Sequence, residues 1–164
     1  MSTIEILAAS YEFNRARTLA LLDTIESEAA PLEILGWRPG TGRAHIAWQL
    51  MHIAVTEEIF AGERLREAAE GEVRWQDLWP RFRGGSTPDD DVPEVAVIRQ
   101  VLTDARAALS RTLTIFSDAD LETSPPGLAK RGQRLIDALH IIAWHEGHHH
   151  GQAHLALNLY RAAQ

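Results

Sequence analysis

His145 and His149 lie four residues apart in the stretch Trp144-His145-Glu146-Gly147-His148-His149-His150-Gly151-Gln152. On a helix, at about 100° per residue, the two imidazoles stand about 40° apart, one turn above the other. Ala138, Ile141, Ile142, Gln152, Ala153, Ala156, Leu159 and Tyr160 share their side, while His140, Gly147, His150, His154, Asn158 and Arg161 take the other. The pair therefore occupies a stripe expected to face a core. A buried imidazole needs both ring nitrogens satisfied, because an unpaired buried polar group costs about 1–3 kcal/mol. Two neutral rings serve each other poorly, and two protonated rings repel. A divalent cation removes the difficulty, since neutral histidine is the commonest metal ligand. The competing reading is two core histidines bonded to polar groups on facing helices. The i, i+4 spacing inside an apolar stripe favours the metal.

His145-Glu146-Gly147-His148-His149 also fits the zinc-protease pattern H-E-x-x-H. No glutamate follows Glu146, and Gln152 and Leu155 stand where the extended form of that motif needs glycine and histidine. Glu146 itself points about 100° around the helix from His145. The protease reading fails for want of a third ligand. That ligand must come from another helix, where His45 and His52 are the candidates. His45 is near the helix start and His52 is deeper, between Met51 and Ile53. His52 is the choice.

Four amphipathic segments position these residues. The first runs over residues 3–28, with Ile4, Leu7, Ala8, Tyr11, Leu19, Leu22 and Ile25 at helical spacing. The second, residues 43–69, is apolar almost all round apart from a narrow stripe of His45, Gln49, His52 and Thr56. A helix of that kind is normally buried, so its polar stripe points into a polar pocket. The third begins near Pro93 behind three aspartates and runs to about residue 116. The fourth, residues 133–160, carries the histidine pair. Residues 31–42, with Gly36-Trp37-Arg38-Pro39-Gly40-Thr41-Gly42, read as a loop, as do residues 123–127. Ser117-Asp118-Ala119-Asp120-Leu121 reads as a cap and short turn. Residues 71–92 form a long connection carrying Trp75, Trp79 and Phe82, which either staple the loop to the core or meet a substrate. With no convincing strand, the expected fold is all-α: one domain over residues 1–164, a four-helix bundle with a long crossover loop between its second and third helices.

Composition narrows the function. The chain has 164 residues, 45% hydrophobic and 24% charged, an ordinary globular balance. A net charge of −7 argues against a nucleic-acid surface. With no cysteine there is no disulfide, no thiolate zinc site and no thiol nucleophile of the chain's own. No basic leader precedes an apolar run, and no apolar run suits a membrane span, so a cytoplasmic protein is expected.

Trp48-Gln49-Leu50-Met51-His52-Ile53-Ala54-Val55-Thr56-Glu57, followed far downstream by the 145–152 element, resembles the DinB/YfiT-like family of metal-binding four-helix bundles. The Asp118-Ala119-Asp120-Leu121 turn and the overall size also fit. The resemblance covers nearly the whole chain, and its specific part is the three histidines with the Gly151-Gln152 tail. It implies an unusual helix order and a divalent metal, zinc or nickel, held by His52, His145 and His149. It also implies homodimers and thiol-dependent transferase activity. His150 departs from the family pattern, which usually has arginine there.

Three neutral histidines leave an open metal position, the mark of a catalytic site. That position suits a water activated toward hydroxide or a small thiol activated toward thiolate. Hydrolysis wants a general base, and neither Glu57 nor Glu146 lies on the ligand stripes. The leading expectation is transfer of a low-molecular-weight thiol to a small electrophile, with Gln152 as a candidate outer partner of the site. The alternatives are a metal-dependent hydrolase and a non-enzymatic metal-bearing binding domain.

Overall fold

The computed structural model describes residues 1–69 and 71–164. Among these the chain is all-helical. Four long helices dominate: α1 (Thr3–Glu26), α3 (Ile46–Ile59), α5 (Val95–Leu113) and α7 (Leu135–Ala162). Three short ones, α2 (Pro31–Gly36), α4 (Trp79–Phe82) and α6 (Pro126–Ala129), lie in the connections. No helix among the described residues is long and apolar enough to cross a membrane.

Local chemistry sets the helix ends. Ser2 Oγ accepts from the Glu5 amide while the Glu5 carboxylate accepts from the Ser2 amide, a reciprocal cap. Asp118 accepts from the amides of Thr3 and Ile4 at 2.8 and 3.2 Å. The expected turn at 117–121 is a 3₁₀ turn, and it ties the end of α5 to the start of α1. His45 caps α3, its Nδ1 accepting from the Trp48 amide at 3.1 Å.

α3 is the central helix. Every residue in it except Thr56 is buried. It packs on α5 and α7, and α1 packs on α7 and α5. One apolar region gathers Leu22, Leu50, Ile53, Ile98, Leu102 and Leu157, and a second gathers Tyr11, Phe60, Leu109, Leu128 and Leu139.

The connections are more ordered than the sequence suggests. Pro31, Pro80 and Pro126 act in the first turns of α2, α4 and α6, where a missing N–H costs nothing and the fixed φ suits a helix. Residues 31–42, 71–92 and 123–127 are therefore not wholly loop. The second long helix also stops early. Its α-helical part ends at Ile59 and gives way to a π turn, Phe60–Arg64, closed by the Leu65 amide on the Phe60 carbonyl at 2.9 Å. There α6 comes very close, since a Cβ on Gly127 would lie 2.3 Å from the Glu63 carbonyl oxygen. At the surface Leu159, expected on the inward stripe of the last helix, is exposed, as are Val97 and Ile115 of the third segment.

Candidate metal centre

Packing of α3 on α7 brings His52 against His145 and His149. The ring centroids form a triangle with sides of 4.8, 4.5 and 4.5 Å. Each residue offers one ligand atom, and these atoms all lie within 4.8 Å of one another. His145 Nε2 and His52 Nε2 are 3.1 Å apart, close to the separation, about 3.3 Å, of two nitrogens on one tetrahedral zinc.

Two rings are held from behind. His52 Nδ1 meets the Phe82 carbonyl oxygen at 2.6 Å. A carbonyl only accepts, so Nδ1 carries the proton and Nε2 is left with its lone pair facing the other rings. His149 Nδ1 donates in the same way to Gln49 Oε1 at 2.5 Å. A second ring nitrogen fixed by a backbone or side-chain oxygen is the usual support of a metal-binding histidine. The Trp48 indole stacks on His52 with centroids 4.6 Å apart. Trp48 Nε1 donates in turn to the Arg81 carbonyl and Ser86 Oγ, both at 3.2 Å. The 71–92 connection thus clamps His52 through Phe82 and Trp48.

Charge agrees with geometry. Burial, followed by the neighbouring imidazoles, holds His145 and His149 down at about 3. Burial likewise lowers His52. All three stay neutral at physiological pH, which is the form that binds a metal.

Residues 10–153 match the family profile of the DinB superfamily. The chain belongs to the DinB superfamily. No curated protein and no solved structure matches it.

In this DinB chain the other residues singled out by sequence take different places. His45 is not at the centre. It caps α3 through Nδ1, donates from Nε2 to the Asp89 carbonyl at 2.9 Å, and is lowered by burial. Among the described residues Gln152 makes no hydrogen bond to His52, His145 or His149. It accepts from Gln49 Nε2 at 2.9 Å and donates to His148 Nε2 at 2.6 Å, so it supports His149 through Gln49. His148 is exposed and stacked on Trp144. The aromatics of the long connection staple it down. The Trp75 amide and Trp79 Nε1 both donate to Glu58 at 2.9 Å, and Phe82 is buried.

Glu57 and Glu146 do lie off the stripes of the three histidines, and both belong to a buried ionic quartet that sequence reasoning missed. Arg15 of α1 binds Glu57 of α3 and Glu146 of α7, each at 2.8 Å. Arg106 of α5 binds Glu146 at 2.5 Å and Glu57 as well. Each long helix gives one member, and the charges cancel. Burial works against the Arg106 charge, yet the two carboxylates hold its guanidinium above the usual range. A signal existed: Tyr11, Arg15, Thr18 and Leu22 share one face, as do Leu102, Arg106 and Leu109. An arginine inside an apolar stripe asks for a buried partner.

Proposed function

We propose that His52, His145 and His149 hold a divalent metal, zinc or nickel, and that the protein transfers a low-molecular-weight thiol to a small electrophile. The four long helices serve as the four-helix bundle frame of one domain, with residues 71–92 as its crossover. The observation that carries the reading is the pair of imidazoles, His52 and His149, whose Nδ1 protons are taken by Phe82 and Gln49. Their Nε2 lone pairs are thereby free for a cation. A divalent ion with three histidine ligands supplies Lewis acidity that lowers the pKa of a thiol or water at its open position.

The residues of the chain do the rest. Phe82, Gln49 and Trp48 keep the rings oriented without reorganisation. The quartet spends Glu57 and Glu146 on Arg15 and Arg106, so neither serves as a general base. A thiol that gives up its proton to solvent needs no such base. Its sulfur forms the new bond to the electrophilic carbon as the leaving group departs with the bonding pair.

One observation favours hydrolysis as a second reading: Glu63, whose only ion pair among the described residues is a half-exposed one with Arg131 at 3.4 Å, lines the cleft beside His52 and His145 and offers a base for a water. The test is metal analysis of protein purified without a histidine tag, followed by incubation with candidate thiols and a monohalobimane. Metal-dependent acceleration, lost with a chelator and in His52→Ala, is expected. Bound metal with no acceleration by any thiol, but with ester or amide cleavage, would turn the assignment to hydrolysis. Absence of bound metal would overturn both.

A further inference from the structure

Beside the three histidines opens a cleft of about 360 Å³, with His52 and His145 in its wall. Its other charged residues are Arg64, Arg83, Arg131 and Glu63. Three guanidinium groups against one carboxylate is the reverse of the whole chain, whose net charge is −7. The one carboxylate is shared, since Arg131 lies 3.4 Å from Glu63. Among the described residues Arg64 and Arg83 make no ion pair and no side-chain hydrogen bond. Arg64 Nε is fully buried with no partner.

A buried donor left without a partner is costly to the fold. Arg64 is nevertheless held in place, its guanidinium carbon 4.3 Å above the centre of the Phe60 ring. Burial first, and then the nearby charge of Arg131 and Arg83, lower its pKa against the opposing pull of Glu63. Three guanidinium groups gathered around one cleft, two of them without a carboxylate partner among the described residues, form a site arranged for an anion.

We infer that the substrate entering this cleft carries an anionic group, a carboxylate or a phosphate, bound by Arg64 and Arg83 while its reacting end lies beside His52 and His145. The inference rests on the proposed thiol-transfer reading for what happens at the histidines, but the anion subsite itself needs no metal. Arg131 pairs with Glu63, and Phe60 lies under the Arg64 guanidinium.

Two measurements test it and separate it from the reading beneath it. In the first, the metal-free protein is titrated with succinate and with inorganic phosphate while the arginine Nε–H resonances are followed by NMR. Saturable shifts at Arg64 and Arg83 are expected, and the tighter anion tells carboxylate from phosphate. Affinity should fall about tenfold in Arg64→Gln and in Arg83→Gln, the loss of one charge-assisted hydrogen bond. Arg83 is exposed, so its replacement does not threaten the fold. Shifts that never saturate, or that persist unchanged in both variants, would overturn the inference. In the second, the cobalt-loaded protein is titrated with mercaptosuccinate and mercaptoethanol, read by the sulfur-to-cobalt absorption band. A preference of about tenfold for the dianion, erased by Arg83→Gln, is expected. Equal affinity would overturn the anion subsite and leave thiol binding intact. A missing band with both thiols would overturn thiol binding, while the metal-free titration still decides the subsite.

Discussion

Replacing Glu146 by glutamine removes one charge from the buried quartet and little volume. Wild-type Glu146 takes Arg15 Nε at 2.8 Å and Arg106 Nη2 at 2.5 Å, and all four side chains are almost wholly buried. In Glu146→Gln two arginines share the single buried carboxylate of Glu57, and only the exposed Glu12, 3.5 Å from Arg106, offsets the extra positive charge. Breaking a buried pair in this way costs about 3–5 kcal/mol. For a chain of this length each kcal/mol lowers Tm by about 2–4 °C, so the expected drop is about 6–20 °C. Thermal and urea unfolding of the metal-free protein, followed by circular dichroism, measure the drop in Tm and the loss of free energy. The double variant Arg106→Met/Glu146→Met restores neutrality and should be more stable than the sum of its single variants by about 0.5–3 kcal/mol. A Glu146→Gln loss below about 1 kcal/mol, or strict additivity in the double variant, would refute the view that charge balance holds the four helices together at this level.

Removal of the imidazoles should separate metal from fold: His52→Ala/His145→Ala/His149→Ala is expected to lose all bound metal by elemental analysis while keeping its helical circular dichroism. Stability should also depend on acid. His145 and His149 are held at about 3 in the folded chain, whereas an unfolded histidine protonates near about 6.5. The unfolded state therefore binds more protons between these values. The contribution is full above about pH 6.5 and falls as pH drops toward about 3. The urea midpoint of the metal-free protein should decline from about pH 7 to about pH 5 more steeply than that of the triple variant; parallel declines would contradict it. Gly127→Ala should cost about 1–3 kcal/mol, because its Cβ would press on the Glu63 and Arg64 carbonyls of the π turn. An unchanged melting curve would show that α6 moves aside freely.

The histidine pair was legible in the sequence because helical periodicity is local: His145 and His149 meet on one face whatever surrounds them. His52 was legible by depth, being a turn or two inside an almost wholly apolar helix, while His45 at the helix start is free to cap it. The Phe82 carbonyl was not legible, because an acceptor on the main chain has no side-chain type to betray it. Arg15 and Arg106 were present as charged residues in apolar stripes, but only the packing of four helices shows that they meet Glu57 and Glu146. The prolines misled in one consistent way. Pro31, Pro80 and Pro126 read as breakers, yet a proline also opens a helix, and neighbours decide which.

The bond from His52 to Phe82 has an acceptor that no substitution can delete. Any residue placed at position 82 brings a carbonyl oxygen with it, so the ring of His52 is steered by the path of a strap rather than by the identity of its residues. Relatives are then free to rewrite the letters of that strap, provided its course past the histidine is kept. Kinship between such centres would show better in superposed backbones than in aligned text.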